Sequence, residues 1–135
     1  MIKAGLSVAK LQRFNMSYTR ESILAPLADA DVSAYAEEHH ITRALAAVTL
    51  HADSLDGAIF LCGNAPLALA GMTRLALAGK IRPALVIAMP VGFVNVVESK
   101  DYAHELDVPM IVLNGRRGGS PLAVAALHGI MEGAL

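Results

Sequence analysis

Three short runs of the chain carry almost no polar side chain: Ala58 to Cys62, Ala84 to Met89 and Met110 to Leu113. Each is bounded by Gly or Pro. An unbroken apolar run of this length predicts a strand buried on both faces, as in a parallel sheet covered by helices. A helical pattern follows each run. Asn64 with Pro66, and Ser120 with Pro121, place a capping side chain and a proline of preset φ where helices begin. The helices so predicted run from about Pro66 to Ala78 and from about Pro121 to Met131. Between them, Val96, Val97, Ala103 and Leu106 alternate with Glu98, Lys100, Asp101 and Glu105, which predicts a helix over about Asn95 to Leu106, the most exposed of the three.

Upstream, Ile41, Ala44, Leu45 and Val48 recur at helical spacing, and Val32, Tyr35 and Ala36 do so just before them. Two short helices, or one bent one, are expected over Asp31 to Ala52. Ser22 to Ala25 reads as a further strand that Pro26 limits or places at an edge. Alternating strands and helices imply crossover connections. The expected fold is therefore a three-layer α/β/α sandwich around a mainly parallel, flavodoxin-like sheet, in one domain spanning residues 1–135.

The last predicted helix is apolar almost all round, with Leu122, Val124, Leu127, Ile130 and Met131 separated by Ala and Gly. One side can pack on the sheet and the other is left for a partner subunit. Composition points the same way: 55% of the 135 residues are hydrophobic and only 17% are charged, little polar material to cover an isolated monomer. Self-association is the expectation. Eleven basic and twelve acidic residues nearly cancel, so no bulk field draws the chain to nucleic acid or an anionic membrane. No apolar stretch approaches the roughly 20 residues that span a bilayer, and Lys3, Lys10 and Arg13 interrupt what would have to be the core of a signal peptide. The lone cysteine, Cys62, lies inside an apolar run and can form no internal disulfide. A cytoplasmic setting is expected.

In parallel α/β sheets the strand ends that lead into helices gather on one edge, and ligands bind there. Three turns belong to that edge: Gly63-Asn64-Ala65-Pro66, Pro90-Val91-Gly92-Phe93, and Gly115-Arg116-Arg117-Gly118-Gly119-Ser120-Pro121. In the third, Gly118 and Gly119 permit a tight turn with exposed N–H groups, Ser120 can cap the helix, and the helix start carries partial positive charge. Arg116 and Arg117 add charge-assisted contacts suited to carboxylate or phosphate. The pattern asks for an anionic ligand, although a Gly-rich turn with two solvated arginines would look the same. No Walker-type phosphate loop and no Gly-x-Gly-x-x-Gly fingerprint after a strand is present. Arg43, beside Thr42 at a helix start, is a second candidate anion contact or a surface arginine. Glu98, Ser99 and Lys100 either face the same pocket or form a solvated face.

His39 and His40 are adjacent, so on a helix they diverge and make no paired metal-ligand face. No metal site and no cofactor is assigned. His51, His104 and His128 are scattered, each a general-acid candidate by residue type alone, and the buried setting of Cys62 disfavours a nucleophilic role.

At these turns the sequence resembles the precorrin-8X methylmutase (precorrin isomerase) family of cobalamin biosynthesis. The resemblance is carried by Ile41-Thr42-Arg43-Ala44, Gly63-Asn64-Ala65-Pro66 with Leu69, Pro90-Val91-Gly92-Phe93-Val94 leading to Glu98-Ser99-Lys100, and Gly115 to Pro121. It implies a flavodoxin-like homodimer that moves a methyl group between neighbouring carbons of a contracted tetrapyrrole, giving hydrogenobyrinate, or cobyrinate when cobalt is present. The substrate's acetate and propionate arms are the polycarboxylate that the turns ask for. Substrate-binding positions implied are Thr42, Arg43, Asn64, Ala65, Pro66, Gly92, Phe93, Arg116, Arg117, Gly118, Gly119 and Ser120. The family pattern is longer at its N-terminus, where it carries a strand and the histidine assigned as the acid that promotes the shift. This sequence lacks that portion, so no catalytic residue is carried over. The alternatives are a protein that binds a corrinoid or another anionic metabolite without isomerising it, or one that needs a separate chain for the histidine.

Overall fold

A computed structural model describes residues 2–134. Two helices, α1 (Ile2–Gly5) and α2 (Val8–Phe14), open the chain, and two 3-10 turns follow at Arg20–Ser22 and Pro26–Ala28. Then come α3 (Ala30–His39), α4 (Arg43–Leu50) and α5 (Ala52–Leu55). The remainder alternates: β1 (Ile59–Cys62), α6 (Pro66–Leu77), β2 (Leu85–Ala88), α7 (Val96–Ala103), β3 (Met110–Val112) and α8 (Ser120–Ala134).

The three strands form one parallel sheet in the order β1-β2-β3, with Cys62 level with Ala88 and Ala88 level with Val112. Side-chain alternation sorts them onto two faces. Phe60, Cys62, Val86 and Ala88, with Met110 and Val112, pack beneath Leu69 and Met72 of α6 and Ala103 of α7. Leu61, Leu85, Ile87 and Ile111 point the other way, onto Ala123, Leu127 and Met131 of α8 and Leu6 at the end of α1. Both faces are covered, which is why the strands read as unbroken apolar runs. The expected α/β/α layering is thus present. A smaller cluster, Val32, Ala36, Ala46 and Ala47, joins α3 to α4, and Leu45 and Val48 of α4 lie against Gly71 of α6.

Four local expectations are corrected. Ser22 to Ala25 is not a strand: Ser22 closes a turn whose Thr19 N–H donates to its Oγ, and Pro26 starts the next turn directly after. α7 is not the exposed helix of the three, because Val96, Ser99, Lys100 and Ala103 are all buried. Asn64 does not cap α6; Ala65 occupies that position and makes no side-chain cap, leaving Pro66 to start the helix. Ser120 does not cap α8 either. It is the first helical residue, and the Gly119 carbonyl accepts the Ala123 N–H.

The N-terminal helices are held to α8. The Ser7 N–H donates to His128 Nε2 at 3.1 Å, and Glu132 pairs with Lys10 and, at 3.5 Å, with Arg13. No helix among the described residues is long and apolar enough to cross a membrane.

Candidate functional site: a rim of strand ends

Because the strands are parallel and level, all three end on one edge, and the three turns meet there. The Met89 N–H donates to the Cys62 carbonyl at 2.8 Å, drawing the ends of β1 and β2 together. The Gly119 N–H donates to the Met89 carbonyl at 2.6 Å, and the Gly92 N–H to the Arg116 carbonyl at 3.0 Å. Glycine makes this approach possible at two places. A Cβ on Gly63 would lie 2.6 Å from Ser120 Cα, and one on Gly118 would collide with the Met89 carbonyl. The first turn therefore abuts the start of α8, and the third is laid across the second.

Arg116 and Arg117 are exposed on this rim. The ion pairs among the described residues both use Glu132, so neither arginine is neutralised by a carboxylate. The Arg116 guanidinium stacks 5.4 Å from the centre of the Phe93 ring, a ring that is itself 80% exposed beside Val94 at 76%. The rim thus offers cationic groups next to an apolar surface, a pairing suited to a ligand with a flat hydrophobic body and acidic arms. Asn64 is exposed nearby, whereas Ser120 is buried against Gly63. Beneath the third turn lies Lys100, 1% exposed, whose Nζ donates to the carbonyls of Leu113, Gly115 and Arg117 at 2.5, 2.7 and 2.8 Å.

Other candidates are elsewhere. Thr42 caps α4 by accepting the Leu45 N–H, and Arg43 is exposed at the first helical position. Among the described residues no hydrogen bond or ion pair joins either to the three turns. The histidines lie outside those turns too. His39 stacks on Tyr35, His40 ends α3 in the left-handed conformation, His104 meets Asn114 Oδ1 at 2.9 Å, and His128 accepts the Ser7 amide. Cys62 donates to the Ala65 carbonyl, and burial pushes its thiol up to about 11, so it is protonated and inert at neutral pH. One group of potential metal ligands escaped the sequence reading: Asp29, Asp31 and His51 present atoms within 4.8 Å of one another, with His51 Nε2 unpartnered. It borders a cleft of about 250 Å3 that includes Lys3 and Glu21 and no residue of the rim. A second cleft, about 480 Å3 near Asp56, Arg82 and Asp107, also excludes the rim. The convergence of exposed cations and apolar surface makes the rim the candidate site.

The family profile described as "CbiC: Precorrin-8X methylmutase" matches residues 1–133. This chain belongs to the precorrin-8X methylmutase family. It is 38% identical over 131 residues to a cobalt-precorrin-8 methylmutase of Methanocaldococcus jannaschii, covering 97% of this chain and 57% of that one. It is 44% identical over 130 residues to the Priestia megaterium protein of the same name, covering 96% and 56%. The crystal structure of a precorrin-8X methylmutase from Thermus thermophilus superimposes with a TM-score of 0.81 at 42% identity, over 97% of this chain and 61% of that one. The chain thus spans somewhat under two thirds of the length of these methylmutases.

Two features of this methylmutase-family rim were not read from sequence. The contact between Gly63 and Ser120 joins residues far apart in the chain, and no local pattern reports it. The burial of Lys100 had a signal: it stands four positions after Val96 and three before Ala103, on the apolar stripe of α7.

Proposed function

We propose that the chain acts as a precorrin-8X methylmutase, binding the tetrapyrrole on the rim and promoting an intramolecular methyl shift. One carbon–methyl bond breaks as another forms on the neighbouring ring carbon, so the product is an isomer and no second substrate is consumed. Hydrogenobyrinate is the product, or cobyrinate when cobalt sits in the ring as part of the substrate. The observation that carries this reading is the convergence of three strand-end turns that leave Arg116 and Arg117 without carboxylate partners beside exposed Phe93.

In this reading Arg116, Arg117 and the free amides of the third turn hold the acidic arms, while Phe93 and Val94 meet the macrocycle. Asn64, Ala65, Pro66, Gly92, Gly118, Gly119 and Ser120 shape the shelf. Thr42 and Arg43 belong to the site as outlying contacts to an arm that extends past the rim. Fixing a large ligand at many points holds the migrating methyl near its acceptor carbon. The three turns contain no histidine, so the promoting proton comes from outside them. The functional unit is a homodimer.

The test is to mix purified protein with precorrin-8X and follow the visible spectrum. Conversion to hydrogenobyrinate is expected. A shifted spectrum without conversion would overturn the isomerase reading, and no spectral change would overturn tetrapyrrole binding as well.

A further inference from the structure

Lys100 is a charge without a counter-charge. It is fully buried in α7, and no carboxylate lies within ion-pair distance of it among the described residues. Burying an unpaired ammonium is costly unless its protons are satisfied. Its three protons are matched by three carbonyl oxygens, those of Leu113, Gly115 and Arg117. Desolvation lowers its pKa from the ordinary lysine value, while the three carbonyl dipoles favour the charged form.

The spacing of those acceptors has a geometric consequence. In a planar trans peptide the carbonyl of one residue and the N–H of the next point in opposite directions. Drawing the carbonyls of 113, 115 and 117 onto one ammonium turns the N–H groups of Asn114, Arg116 and Gly118 away from it. None of these three amides donates to another described residue. The intervening carbonyl of Arg116 is held by the Gly92 N–H instead, and the positive φ of Gly115, 93°, permits the reversal of direction within the turn. Free N–H groups that a turn presents together are donors for an anion.

We propose that Lys100 is a positioning residue: gripping alternate carbonyls of the 113–117 segment from behind, it aims the amides of Asn114, Arg116 and Gly118 at a carboxylate arm of the ligand. This inference rests on the reading of the rim as a polycarboxylate site. Lys100 itself never touches the ligand. Hydrogen bonding at each carbonyl also polarises its peptide unit and strengthens the opposite N–H as a donor.

The experiment is a titration of the 15N-labelled full chain with hydrogenobyrinate, read by amide chemical shifts, first on the wild type. Downfield shifts at Asn114, Arg116 and Gly118 are expected together with shifts at Asn64 and Gly92. If Asn64 and Gly92 move and these three do not, the Lys100 inference fails while the rim reading stands. If no rim amide moves, the rim reading itself fails. In Lys100→Met the ligand should bind about tenfold more weakly, the loss of one to two amide contacts. Asn64 and Gly92 should still respond, with the response at Arg116 and Gly118 gone. Lys100→Arg, which keeps the charge and donors, should restore part of the affinity. Wild-type affinity and wild-type shifts in Lys100→Met would overturn the proposal. Should that variant not fold, the wild-type amide shifts decide alone.

Discussion

Arg116 and Arg117 stand exposed between glycines at a strand end, and the fold brings Phe93 against Arg116. Replacing either with Ala opens no cavity, so the fold should persist while affinity for hydrogenobyrinate falls about tenfold each, as expected for an exposed charge-assisted contact. Spectral titration of the two variants checks this; unchanged affinity in both would remove them from the site. Cys62 offers a test that does not depend on ligand. Its thiol, raised to about 11 by burial, stays protonated in the folded protein at pH values where the unfolded thiol ionises. The unfolded state therefore binds fewer protons, and stability falls as pH rises, by about 1.4 kcal/mol per unit between the ordinary thiol pKa and about 11. Urea denaturation across that window should show the decline, and Cys62→Ala should lack it.

The strands were readable to within a residue or so because burial on both faces leaves no polar position to confuse the pattern. Helix starts were harder. Asn64 and Ser120 carry side chains that cap helices elsewhere, yet here the turn geometry is set by contacts between distant segments, Gly63 with Ser120 and Gly118 with Met89. α7 was misjudged because its charged residues suggested a solvated helix, whereas Lys100 turns inward to carbonyls rather than outward to water. These joints predict a coupling. Gly118→Ala forces a Cβ against the Met89 carbonyl and should cost about 1–3 kcal/mol while also weakening ligand binding, as thermal melts and titration of one sample would show. Thr42→Ala supplies a contrast: loss of the cap on α4 should cost about 1 kcal/mol and weaken binding less than loss of Arg116 does, as expected of an outlying contact, and wild-type affinity would remove Thr42 from the site.

Across the molecule, α8 buries Ala123, Leu127 and Met131 against the sheet and leaves Leu122 and Ile130 on the outside. With 55% hydrophobic residues in the chain, that outer stripe is the natural seat of the proposed homodimer. Sedimentation should give a dimer, and Leu122→Glu with Ile130→Glu should give a monomer that keeps its fold; a monomeric wild type would contradict the assembly. The three strand-end turns, by contrast, meet through contacts within this chain. The most direct measurement is a crystal structure of the chain bound to hydrogenobyrinate. Its acidic arms should rest on Arg116, Arg117 and the amides of the third turn with the macrocycle over Phe93. A ligand seated instead in the cleft beside Asp29 and His51, with the three turns bare, would contradict it.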